Sequence, residues 1–220
     1  MSNGAETRVK RSKSKILAAA EDVFLQHGFT GANMDSVADV AGVSKQTVYA
    51  HYGSKEALFI EVVEAMTGAA ATDIGEDTPD ILDDRPIADF LMEIAMDQLT
   101  VVVTPRLMRL RRMIIGEVER FPELGQSLYT NGPIRSVKRI ERILEHYVAI
   151  GQLGDIDCYE AATHFNWIVM GAPTNRAMLL GDAGIPSRTE MAAHAKEAVR
   201  IFVSAYRVSD ISTHGTDRRD

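Results

Sequence analysis

Apolar positions along the chain recur every three to four residues, and no stretch of useful length alternates between apolar and polar. That periodicity predicts an all-α protein. Over residues 13–27, Ile16, Ala20, Val23 and Phe24 mark one helix face, and Gly28 supplies a C-terminal stop. Asn33 is a good N-cap for a short helix over about 34–41, because its side-chain oxygen accepts orphan backbone N–H groups. Gly42 ends that helix, Ser44 caps a third over about 45–51, Gly53 breaks it, and Ser54 caps a fourth from Lys55. Ala57 stands where a capping box needs Glu or Gln, so a simple serine cap is expected there.

Residues 67–84, rich in small and acidic types, read as the end of the fourth helix followed by a mobile linker. Pro86 opens a helix at its first position that continues to about residue 104. Pro105 begins another that runs to Phe121, where Pro122 stops it. A longer helix covers about 134–152, and residues 154–157 turn the chain. A strongly apolar helix, kinked near Pro173, spans 158–180, and Ser187 caps a last helix reaching Arg207.

Two short helices joined by a glycine turn form a helix-turn-helix pattern. Val37, Ala41, Val43 and Val48 are expected to face inward, with Ala38 small where the helices cross. Lys45, Gln46, Thr47, Tyr49 and His51 are left more exposed, on a helix whose N-terminus can approach DNA.

Charge changes the picture. The 220-residue chain has a formal net charge of -7, yet residues 1–60 hold seven Lys/Arg and six Asp/Glu, a net of +1 that leaves -8 for the rest. A first part facing nucleic acid on an acidic body fits this asymmetry. The overall negative charge is no obstacle, since charges beyond a Debye length of about 8 Å are largely screened at physiological salt. The expected organisation is a basic disordered arm (1–12), a DNA-binding unit (13–60), a second helical unit (61–207) and a polar tail (208–220). The single cysteine, Cys158, excludes an internal disulfide and fits a reducing compartment, where it reads as a bystander thiol. No apolar run reaches the roughly 20 residues of a membrane span. The polar, basic N-terminus lacks the apolar core of a secretory signal. A cytoplasmic location is the expectation.

Residues 13–59, above all GFTGANMDSVADVAGVSKQTVYAHYGSKEALF, resemble the DNA-binding domain of the tetracycline-repressor (TetR) family. The resemblance implies roles residue by residue. Lys45, Gln46 and Thr47 are candidates for reading major-groove edges. Asn33, standing where the family often has Thr or Ser, caps the second helix and touches phosphate, and Ser44 opens the recognition helix. Tyr49, His51 and Tyr52 contact phosphate or pack the helix. Lys55 adds its charge to a helix N-terminus as a phosphate site, with a solvated lysine as the alternative. Asp35 and Asp39 are expected to face away from DNA.

The stretch RRMIIGEVERFPELGQSLYTNGPIR is similar to the AefR-like subgroup of C-terminal domains in that family. This implies a double-stranded operator, a homodimer through residues 158–180 and 187–207, and a pocket for a small, largely apolar effector. From the residues alone, those two helices equally describe packing inside one monomer. Pocket candidates are Leu99, Val103, Met108, Met113, Ile114, Glu117, Phe121, Tyr129, Phe165, Asn166, Trp167 and Met170, although such stripes also describe plain core. Glu117 reads either as a buried polar anchor or as an ion-pair partner of Arg120. The six histidines are scattered with no metal-pair spacing, and neither a nucleophile elbow nor a phosphate loop occurs. The expectation is therefore a regulator with no catalytic, metal or cofactor site, and no membrane partner.

Overall fold

A computed structural model of the chain describes residues 4–74 and 84–207; residues 1–3, most of the expected linker (75–83) and the expected polar tail (208–220) lie outside the described residues. Among the described residues there are ten α-helices and no strand. The first five are α1 (Gly4–Gly31), α2 (Met34–Ala41), α3 (Lys45–Tyr52), α4 (Lys55–Asp73) and α5 (Ile87–Val102). They are followed by α6 (Pro105–Glu117), α7 (Pro122–Tyr129), α8 (Arg135–Ala149), α9 (Cys158–Leu180) and α10 (Arg188–Tyr206).

The local signals near the N-terminus act as the residues dictate. Asn33 Oδ1 accepts the Ser36 N–H at 2.9 Å, Ser44 Oγ that of Thr47 at 3.1 Å, and Ser54 Oγ that of Ala57 at 3.1 Å. Gly42 takes the left-handed conformation (φ 66°, ψ 39°), which costs an L side chain about 1–2 kcal/mol. Around it the Val43 N–H bonds Ala38 O at 3.0 Å and the Gly42 N–H bonds Asp39 O at 3.2 Å. That paired closure satisfies the last carbonyls of α2 and fixes the exit toward α3. Two expectations change here. The basic segment foreseen as a disordered arm is helical from Gly4, because residues 5–27 contain neither Gly nor Pro and hold several good helix formers. Gly28 (φ 72°, ψ 172°) breaks α1, and one more turn follows to Gly31.

Two apolar cores result. In the first, the rings of Phe24, Phe29 and Phe59 meet (centroids 4.7–6.1 Å) over buried Val37, Val48 and Met66. Leu110 and Ile114 of α6 and Leu124 of α7 complete it. Each such side chain stabilises by about 1.5–3 kcal/mol relative to exposure. The expected boundary at residue 60 falls inside α4, and two helices of the second unit belong to the first core. In the second core α5, α8, α9 and α10 pack together, with Phe165 edge-on to Phe202 at 5.1 Å.

The middle of the chain differs most from expectation. Pro86 is the residue before α5, not its first, and has no capping side chain; Gln152, beyond α8, accepts the Ile87 N–H at 2.8 Å instead. α6 ends at Glu117, and Pro122 starts the unforeseen α7 as its first residue. A proline ends the preceding helix and is preorganised for the next, so both readings were open. Gly125 lets α7 approach: a Cβ there would lie 2.6 Å from Val118 Cγ2. A π-turn (Thr130–Ile134) containing Pro133 leads into α8, which therefore starts at Arg135. The last helix carries a full capping box. Glu190 Oε2 accepts the Ser187 N–H at 2.7 Å, and this bond, with Ser187's hydroxyl and Arg176, pulls its carboxyl down to about 2.

Candidate nucleic-acid interface and interior cavity

α3 is held to the body through buried Val48 and Tyr52, which turns Lys45, Gln46 and Tyr49 outward to solvent. Thr47 is half-buried, its hydroxyl 2.8 Å from Ser44 Oγ, and His51 is half-buried beside the Tyr52 ring. Lys45 Nζ donates to Asp35 Oδ2 at 2.9 Å, which raises the ammonium's pKa. Asp35 thus stands beside the outward face instead of pointing away from it, with the long Lys45 stem reaching back along α2. An exposed pair of this kind is worth little, so an incoming phosphate or base edge competes with it readily.

Two sequence candidates turn inward. Tyr52 is buried, its hydroxyl donates to Lys13 O at 3.3 Å, and burial pushes its phenol up to about 12. It packs α3 against α1 and offers nothing to a ligand. Lys55 donates to Phe29 O at 2.9 Å and Ala32 O at 3.1 Å, with its ammonium 4.5 Å from the Phe29 ring centroid. Its charge closes the carbonyl end of α1, so it is neither a phosphate ligand nor a solvated lysine. The helical start of α1 adds cations the motif alone did not place: Arg8, Lys10, Arg11 and Lys15 are exposed, and Lys13 pairs with Glu61 at 2.7 Å.

In the second unit a cavity of about 80 Å³ lies among α4, α5, α6, the π-turn, the start of α8, and α9. Of the twelve pocket candidates, Met108, Asn166, Trp167 and Met170 line it. Leu99, Val103 and Phe165 are packed in the second core away from it. Met113, Ile114 and Phe121 belong to the first core, Phe121 meeting Phe29 edge-on at 4.9 Å. Tyr129 is exposed. Glu117 accepts from Thr30 Oγ1 at 2.9 Å and Arg120 stacks on Phe121, so Glu117 is neither a cavity anchor nor a partner of Arg120. For Met113 and Ile114 the cause is helix rotation: α6 has two apolar faces, and one of them is claimed by the first core.

Sequence reading missed Gln98, Arg111, Asn131, Ser136 and Thr174, all in the wall. Gln98 Nε2 donates to Asn166 Oδ1 at 3.4 Å, and both residues are buried. A lone amide within an apolar helical run, as in FLMEIAMDQLTVV, was the available signal. Arg111 had no such signal. Four arginines crowd PRLMRLRRM: Arg106 forks onto Glu21 (2.5 and 2.8 Å), Arg109 and Arg112 share Asp182 at 3.3 Å, and Arg111 lines the cavity.

Comparison with known proteins agrees with this architecture. Residues 16–62 match the family "Bacterial regulatory proteins, tetR family", and residues 89–208 match "AefR-like transcriptional repressor, C-terminal domain". The regulator RutR of Escherichia coli K12 is 44% identical over 61 residues, 27% of this chain and 29% of its own length. The solved TetR-family regulator from Mesorhizobium loti superposes with a TM-score of 0.83 at 31% identity, covering 91% of this chain and 99% of that one. The flavonoid-responsive regulator FrrA gives 0.75 at 28% identity, covering 90% and 98%.

Proposed function

The chain belongs to the TetR family of transcriptional regulators, with an N-terminal helix-turn-helix and a helical C-terminal domain, and from that premise we propose that it is a homodimeric repressor released from a palindromic operator by a small effector. The carrying observation is the double role of α6. Met108 and Arg111 line the cavity, Ile114 of the same helix sits in the core that supports α2 and α3, and Leu110 belongs to both. An effector that widens an 80 Å³ space, small beside the roughly 300–1,000 Å³ of ordinary ligand pockets, must move a wall. Moving α6 reorients the recognition helix, and the operator-fitting population falls. A coupling of about 1–3 kcal/mol corresponds to roughly 5- to 150-fold release.

Lys45, Gln46 and Thr47 enter the major groove, and Asn33, Ser44, Tyr49 and His51 meet the adjoining phosphates, with the exposed cations of α1 alongside. Dimerisation through α9 and α10 is supported by Trp167, Leu179, Leu180 and Ile201, which stay exposed in the single chain beside small Ala172, Ala193 and Ala205. Such a stripe is covered when a second copy packs as a four-helix contact. FrrA's flavonoid response supports a ring-bearing effector class. No helix among the described residues is long and apolar enough to cross a membrane.

Selection of genomic DNA fragments by the purified protein at two salt concentrations tests this. The expected result is a palindromic, salt-sensitive site near few promoters, with Gln46→Ala relaxing preference at one base position. Enrichment of no sequence at either salt sinks the proposal.

A further inference from the structure

The cavity wall is mostly apolar, and several of its polar groups are bonded within the fold: Thr67 to Val63 O, Asn131 to Ser127, and Asn166 to Gln98. Gln98 Oε1 and Thr174 Oγ1 are buried with no hydrogen-bond partner among the described residues. Leaving such a group unpaired costs about 1–3 kcal/mol. Arg111 is the one charged residue lining the space, and no carboxylate or carbonyl bonds it among the described residues. Its neighbours on α6 show that this is no accident of composition: Glu21 takes Arg106, and Asp182 takes Arg109 and Arg112. Burial lowers the Arg111 pKa, and no acid among the described residues opposes it. The guanidinium remains protonated at neutral pH all the same, so a partly desolvated cation faces the cavity. Trp167, Met108 and Met170 complete a wall suited to a flat, polarisable body.

We infer that the cavity selects a ring-bearing, mainly apolar effector carrying one anionic oxygen, a carboxylate or ionised phenol, which pairs with Arg111. This rests on reading the cavity as the effector site and goes beyond it in naming the charge. It also places the strongest ligand contact on α6, the helix that enters the core beneath the recognition helix. Anion capture and wall movement are then one event.

Trp167 is the single tryptophan of the chain, so its fluorescence reports cavity binding independently of DNA. The probes are 3-phenylpropanoate and naphthalene-2-carboxylate against their primary amides, and 7-hydroxyflavone against 7-methoxyflavone, the former titrated through its own ionisation. Each is measured on full-length protein, with absorbance correction, and then on the protein–operator complex. The expected result is that the anionic members bind at least about 10-fold tighter than the neutral ones, the lower range for a charge-assisted hydrogen bond. Arg111→Gln should erase that preference and Arg111→Lys restore part of it. Ligand-free Arg111→Gln should unfold at the same urea concentration as wild type or higher, since it removes a half-buried cation with no partner among the described residues. Equal binding of neutral and anionic members, or a preference that survives in Arg111→Gln, overturns the inference and leaves an effector cavity of other chemistry. Anion-selective binding without operator release keeps the inference and defeats the effector-released repressor. Binding of none of the probes overturns the inference.

Discussion

Helices α3 and α6 each show an apolar side to the protein and basic residues elsewhere, yet different interactions set their orientation. α3 is fixed by its own neighbours in the chain: Ser44 caps its start, Gly53 ends it, and the Gly42 closure aims it away from α2. Its outward residues follow from which two, Val48 and Tyr52, are buried. α6 is oriented by partners far along the chain. Leu110 and Ile114 enter a core made by α1–α4, Glu21 and Asp182 sort three of its arginines, and the fourth is left at the cavity. A recognition surface can thus be specified locally. A coupling helix has to be specified by both of the units it joins.

The sharpest way to break that contrast is to cut α6 out of the first core. Leu110→Ala removes a fully buried side chain and is expected to cost about 2–5 kcal/mol in urea unfolding. The transition of the helix-turn-helix region should shift with it. If that region keeps its stability, α6 does not support α3 and the coupling route is wrong.

Lys55→Ala sharpens the contrast from the other side. With its ammonium holding Phe29 O and Ala32 O, the loss is expected in stability, by about 1–3 kcal/mol. The salt slope of operator binding should stay unchanged, whereas a phosphate ligand would lower it by about one. A lowered slope with intact stability would return Lys55 to the DNA face.

The smallest effect concerns Tyr52. Its folded phenol stays protonated to about 12, while the unfolded one ionises near 10. The native state therefore binds more protons in that window, and stability present below pH 10 is lost as pH rises from 10 to 12. Tyr52→Phe should cost about 1 kcal/mol or less below pH 10, for the bond to Lys13 O, and should lose stability less steeply above it. Parallel alkaline curves for the two proteins would mean that the phenol meets solvent, as a DNA-facing residue would.

Much of the first unit was legible in the residues. Asn33, Gly42, Ser44, Gly53 and Ser54 mark helix ends through bonds spanning three to five positions, and those bonds form whatever the rest of the chain does. Caps also revealed α10, through Ser187. The proline signals were ambiguous: Pro122 reads equally as a stop or a start, and only the burial of Leu124 shows that a helix follows. In the cavity, Met108, Asn166, Trp167 and Met170 were legible as a mixed apolar and polar stripe. Met113, Ile114 and Phe121 looked the same in sequence and went to the other core.

The sequence by itself determined where helices begin and end around the helix-turn-helix, and that Lys45 and Gln46 face out on α3. Hydrogen-bonded caps and apolar periodicity are properties of neighbours in the chain. The tertiary structure alone decided that Lys55 and Tyr52 turn inward, that Glu117 answers Thr30, and that Arg111 among four similar arginines lines a cavity with no partner among the described residues. An arginine's role depends on which acid lies within a few ångströms of its guanidinium, and here those acids are 70 or more positions away for three of the four, while none of the described acids serves the last.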